Sequence, residues 1–143
     1  MKGVDSNLLV YAFDATVPQH RAARAAIAVA REGAQGWGIP LPCLAEFWNV
    51  VTHARSAGGP ATASSARAFI AALTEADAAI WLPGKNFAVR LMDLAVELNI
   101  QGPRIVDLQI ALTARDNGAT EIWTHDAGFV AIPGLRVFNP LAK

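Results

Sequence analysis

Cysteine is nearly absent from this 143-residue chain: Cys43 stands alone. One cysteine excludes an intramolecular disulfide and any zinc site built from several thiolates. Lysine is scarce too. Only Lys2, Lys85 and Lys143 occur, and every other basic residue is arginine. Charge of one sign is not in excess, since 12 basic residues balance 12 acidic ones, whereas nucleic-acid binders are usually more basic. Arginine, however, suits bidentate phosphate contacts better than lysine does. Long apolar runs are also missing. The longest uncharged stretch, Gly33 to Ala45, is interrupted by Gly36, Gly38, Pro40 and Pro42, and a spanning helix needs about 20 apolar residues. No membrane association is therefore expected. Asp5 falls before any apolar segment of the signal-peptide kind, and the expected setting is cytoplasmic. Neither G-x-x-x-x-G-K-S/T nor G-x-G-x-x-G is present, which removes the common nucleotide-binding loops.

What is present points to a folded α/β chain. Hydrophobic residues make up 53% of the sequence, which argues against disorder, and residues 1–143 fit the length of one domain. Short apolar runs alternate with helical patterns. Lys2–Val4, Trp37–Leu41, Ala79–Leu82, Glu121–Thr124 and Arg136–Phe138 read as strands. Helices are expected over Asn7–Phe13, His20–Glu32, Cys43–Arg55, Thr62 (as N-cap) to Ala76, Phe87–Leu98 and Arg104–Asn117. In His20–Glu32, Ala22, Ala26 and Val29 are expected to share the inner face, with Arg21, Arg24 and Arg31 on a solvated one. Gly33 and Gly118 read as helix stops. Strands alternating with helices imply an α/β layer fold with a mainly parallel sheet.

Such a sheet forms its sites at the carboxyl ends of the strands. Asp5 follows the first strand and Asp126 the fourth. Glu46 is expected in the first turn of the helix after strand two, and Asp107 in the first turn of the helix leading into strand four. All four carboxylates are thus expected on one rim. Two carboxylates about 5 Å apart repel by roughly 3 kcal/mol at an effective dielectric near 20. A cluster of them calls for protonation or a cation. Carboxylate oxygens suit Mg²⁺ or Mn²⁺, and neither His nor Cys is expected at ligand spacing. A hard metal on such a rim can activate water against a phosphodiester. Thr124, two residues before Asp126, is expected to face the same way and to orient a carboxylate.

In this order the motifs resemble those of PIN-domain ribonucleases of the VapC toxin type, from type II toxin–antitoxin systems. The chain opens with Val4-Asp5-Ser6-Asn7 and Leu8 to Ala12, followed later by Leu44-Ala45-Glu46-Phe47 and Ile105 to Ala111 around Asp107. Gly118-Ala119, Trp123-Thr124-His125-Asp126, Phe129, Ile132-Pro133-Gly134-Leu135 and Asn139-Pro140 complete the set. The resemblance implies a three-layer α/β/α fold, with Asp5, Glu46, Asp107 and Asp126 holding Mg²⁺ or Mn²⁺ and Asn7 and Thr124 supporting them. It also implies cleavage of structured RNA such as tRNA or rRNA, a cognate antitoxin, and a homodimer joined through helices. Two positions depart from the family pattern: Asn49 stands where many relatives carry Arg, and Gly3 replaces a bulkier strand residue.

Other residues carry less. His125 alternates away from Thr124 and reads as a packing or surface residue. Trp37, Trp48, Trp81 and Trp123 read as core; Leu8, Tyr11, Phe47, Trp48 and Val51 could form a groove for a partner helix, but core packing is the expected role of most of them. Ser6 lacks the glycines of a nucleophile elbow. A receiver-type phosphoacceptor domain would need paired acids after strand one, where only Asp5 stands. A catalytically idle RNA-binding module is the other alternative.

Overall fold

The computed structural model describes residues 1–56 and 58–142. Among them, five strands form one sheet: β1 (Lys2–Val4), β2 (Trp37–Pro40), β3 (Ala79–Trp81), β4 (Glu121–Trp123) and β5 (Arg136–Phe138). Their order is β3-β2-β1-β4-β5, and all four pairings are parallel. The helices are α1 (Ser6–Phe13), α2 (His20–Glu32), α3 (Leu41–Thr52), α4 (Ala63–Glu75), α5 (Phe87–Glu97) and α6 (Arg104–Asp116). Every residue of β2 is buried. Alternate residues of a strand point to opposite faces, so both faces of the sheet are covered, as an α/β/α arrangement requires.

The strand order places the site. From β1 the chain passes to β2 on one side and later to β4 on the other, so β1 lies at the point where the order reverses. In open parallel sheets that point leaves a crevice beyond the carboxyl ends of the strands. The backbone N–H of Asp5 donates to the Trp123 carbonyl at 3.0 Å, which carries the β1–β4 ladder right up to the crevice.

Local chemistry explains most element ends. Thr62 caps α4 through a hydrogen bond from the Ser65 N–H at 3.0 Å. Helix α6 closes in a Schellman motif: Ala119 N–H donates to Ala114 O, Gly118 N–H to Arg115 O, and Gly118 takes a φ of 89°. Gly33 ends α2 without that motif, since its backbone is extended.

Several expectations are corrected. Helix α3 starts at Leu41, not Cys43, because Pro42 is tolerated in the first turn, where its missing N–H would have no partner. Glu46 therefore lies in the second turn, away from the N-terminal dipole. In α2 the buried stripe is Ala23, Ala26, Ile27 and Ala30, and Val29 is 56% exposed. Alanines on several sides leave the face undefined, and tertiary packing selects the one bearing Ile27. Trp37, Trp81 and Trp123 are core, but Trp48 is 40% exposed, because α3 buries the stripe Cys43, Phe47, Val51 instead. Leu8, Phe47 and Val51 are inside the core, the role expected for most of the five residues that could have formed a partner groove. Phe47 stacks on Phe69 and meets Phe13 edge-on, tying α3 to α4 and α1.

Gly3 has a packing reason. The Trp81 indole lies over β1 and β2, and a Cβ at Gly3 would come within 3.0 Å of it. A Cβ at the paired Gly38 would come within 2.2 Å. The bulk missing from the two glycines is supplied by Trp81.

Candidate active site

The carboxylates gather at the carboxyl edge around β1, but as two pairs rather than one ring. The first pair is Asp5 and Glu46. Asp5 immediately follows β1, and its side chain caps α1 by accepting the Ser6 N–H at 2.7 Å. Glu46 reaches the same place from α3. The Ser6 hydroxyl lies 3.3 Å from both Asp5 Oδ1 and Glu46 Oε1, and its single proton can serve only one at a time. The Cys43 thiol, one helical turn before Glu46, donates to Asp5 Oδ1 at 3.6 Å.

Thr124 organises the other side of Asp5. Its Oγ1 accepts from Asn7 Nδ2 at 2.9 Å and from the Asp126 N–H at 3.1 Å. With both lone pairs engaged, its proton goes to Asp5 Oδ2, 2.8 Å away. Asn7 Oδ1 accepts the His125 N–H at 3.1 Å, which locks the strand-four exit against α1. His125 itself packs edge-on against Tyr11, its Nδ1 3.1 Å from the phenol oxygen, in keeping with a packing role.

The second pair is Asp107 and Asp126. Asp107 lies in the first turn of α6, where the helix dipole favours an anion. Asp126 accepts the Gly128 N–H at 2.8 Å. Arg104 bridges the two: its Nη1 lies 2.8 Å from Asp107 Oδ2 and 3.0 Å from Asp126 Oδ2.

The electrostatics differ between the pairs. Burial pushes the Asp5 carboxyl above the usual range, opposed by hydrogen bonds from Thr124, Ser6 and Cys43, while the Asp107 charge adds to the rise. Burial and the Asp5 charge also raise Glu46. Among the described residues no Lys, Arg or His forms an ion pair with Asp5 or Glu46. One carboxylate oxygen from each of them and the Cys43 sulfur lie within 4.8 Å of one another. A buried carboxylate, Asp5, beside a half-buried one, Glu46, with no basic counter-ion among the described residues, fits a divalent cation, and their oxygens favour a hard one. Cys43 is fully buried, and burial first, then the Asp5 and Glu46 charges, push its thiol well up. As a protonated donor it positions Asp5 and is a poor ligand for a hard ion.

The structure thus brings all six expected residues to one edge. Sequence reasoning missed Ser6, Cys43 and Arg104. Two of them carried a spacing signal: Cys43 precedes Glu46, and Arg104 precedes Asp107, by three residues on a helix, which puts each on its neighbour's face. Asn49 also lies three residues from Glu46 but is exposed and makes no side-chain hydrogen bond among those observed.

The PIN domain family matches residues 3–135. Among known proteins, a VapC ribonuclease of Mycobacterium bovis and ribonuclease VapC43 of Mycobacterium tuberculosis are each 33% identical to the chain over 139 residues. The match covers 96% of this chain and 94% of each of theirs. Among solved structures, M. tuberculosis VapC20, a sarcin-ricin loop cleaving toxin, matches with a TM-score of 0.68 at 15% identity, over 92% of this chain and 98% of that one. VapBC2 from Rickettsia felis, bound to a DNA fragment from its promoter, matches with a TM-score of 0.68 at 19% identity, over 96% and 97%. At such identities these structures speak for the fold.

Proposed function

Because the chain belongs to the PIN-domain family and stands within it beside the VapC ribonucleases, we propose that it is a Mg²⁺-dependent endoribonuclease, with Mn²⁺ as an alternative metal. Asp5, Glu46, Asp107 and Asp126 are its proposed metal-holding and catalytic residues, and Asn7 and Thr124 support them. The observation that carries this reading is the pair of buried Asp5 and half-buried Glu46 at the sheet's switch point, with no basic partner among the described residues. When bound, the cation supplies Lewis acidity toward water and the scissile phosphate. The chain's own residues set the stage for it. Thr124 and the Ser6 N–H favour the ionised form of Asp5, Ser6 links Asp5 to Glu46, and Asn7 holds the Thr124 hydroxyl in its working direction.

The proposed substrate is structured RNA, such as tRNA or a ribosomal loop. The reading is supported by the names of the relatives, which are ribonucleases, and of VapC20, which cleaves the sarcin-ricin loop. The protein would act in the cytoplasm as the toxin of a type II pair, restrained by a cognate antitoxin. A cavity of about 600 Å³ between α2 and α4, lined by Arg24, Ile27 and Arg31 of α2 and Phe69 and Leu73 of α4, is the surface we propose such a partner covers. A homodimer is proposed through α5, none of whose residues is buried and whose Val89, Met92 and Val96 are exposed along one side.

The test is cleavage by purified protein with Mg²⁺, with Mn²⁺ and in excess EDTA, coupled to mapping of RNA 5′ ends after induced expression. Metal-dependent cleavage at discrete sites is expected. Full cleavage in EDTA would overturn the metal chemistry, and RNA binding without cleavage under either metal would favour an idle module.

A further inference from the structure

Arg104 stands in an unfavourable place for a cation. It is the first residue of α6, where the helix dipole repels positive charge. It is instead held by the carboxylates: one guanidinium nitrogen, Nη1, meets Asp107 Oδ2 and Asp126 Oδ2 together.

A second observation, in another element, concerns the same group. Gly128 has no positive φ, so its backbone does not call for glycine. A Cβ at that position would come within 2.4 Å of Arg104 Nη2 and 3.2 Å of Cζ. The loop after β4 thus closes directly onto the guanidinium, which lies between the two aspartates and the bare Cα of Gly128. The site is consequently asymmetric. Asp107 and Asp126 have an internal cation, whereas Asp5 and Glu46 have none among the described residues.

We propose that Arg104 is a built-in counter-ion of the Asp107–Asp126 pair that competes with the divalent metal for these oxygens. The inference rests on the metal reading above. The metal-free rim is then half neutralised by the chain itself, and full metal loading requires Arg104 to leave Asp107 and Asp126. Its position on α6, one turn from Asp107, keeps it close enough to return when the metal departs. Arg104 is in this sense a positioning residue: it sets how readily the carboxylates take up metal.

The experiment is an Mn²⁺ titration followed by electron paramagnetic resonance on wild type, Arg104→Gln and Gly128→Ala, with thermal melts of the metal-free proteins as a folding control. Arg104→Gln removes the charge, and Gly128→Ala forces the guanidinium to shift while its methyl meets Asp126 Oδ1 only at an ordinary contact distance of 3.4 Å. Both variants are expected to bind Mn²⁺ about three- to tenfold more tightly than wild type, the range set by two partly exposed ion pairs. Binding that Arg104→Gln leaves unchanged or weakens overturns the inference alone. No Mn²⁺ binding by either wild type or Arg104→Gln overturns both the inference and the metal reading beneath it.

Discussion

The Thr124 hydroxyl donates to Asp5 Oδ2 at 2.8 Å, joining the end of β4 to the end of β1 across 119 residues of sequence. Thr124 is 1% exposed, and its oxygen also takes protons from Asn7 and from the Asp126 backbone. Thr124→Val keeps the shape and deletes all three interactions. Two donors are left without their acceptor, at a cost of about 1–3 kcal/mol. The loss of orientation should weaken metal binding about 10–100-fold. Chemical denaturation and an Mn²⁺ titration measure the two effects, and an unchanged affinity would show that Thr124 serves stability alone.

Asp5→Asn is expected to abolish cleavage and to leave the metal-free fold intact or stabler, because it removes one of several crowded charges. The pH dependence gives this a sign. Asp5 and Glu46 are raised in the folded state, so between the unfolded carboxylate value, about 4, and the raised folded value the native state holds more protons. Stability from these groups therefore falls as pH rises through that window. Asp116, lowered chiefly by its hydrogen bond to Arg90, and Asp14, lowered chiefly by the Thr16 hydroxyl, act the opposite way. The melting temperature of Asp5→Asn minus that of wild type, without metal, should grow as pH rises from about 4 through the raised Asp5 value and level off on either side of that window. A gap that does not change with pH would contradict the raised Asp5.

Gly38→Ala tests the packing of Trp81. Replacing a strand glycine usually helps, because glycine loses more chain entropy on folding. Here the new methyl would lie 2.2 Å from the indole, an overpacking expected to cost about 1–3 kcal/mol. Denaturant titration of the variant measures it, and a stabilised protein would mean that Trp81 can move aside.

The α5 stripe is tested by light scattering across micromolar concentrations. Wild type is expected at dimer mass and Met92→Glu at monomer mass, with the melt of the metal-free monomer little changed because Met92 is 52% exposed. A wild-type protein that stays monomeric would refute the dimer.

The sequence by itself determined the elements and their order, because apolar periodicity, Thr62 as a cap and Gly118 as a stop act over a few residues. It also determined that Asp5, Glu46, Asp107 and Asp126 belong to one edge. Asp5 and Asp126 lie just after strand ends, Glu46 and Asp107 near the starts of helices, and in a parallel sheet those strand ends and helix starts share a side. What the tertiary structure alone decided is the pairing of the charges. Placing β2 and β4 on opposite sides of β1 brings Asp5 beside Glu46 under Ser6 and Cys43, and leaves Asp107 with Asp126 around Arg104. It also chose which faces to bury, turning Val29 and Trp48 outward and Leu8, Phe47 and Val51 inward. The physical reason is range. Hydrogen bonds within a turn are written in neighbouring residues, whereas the distance between two carboxylates and the water around them depend on how remote segments close upon each other.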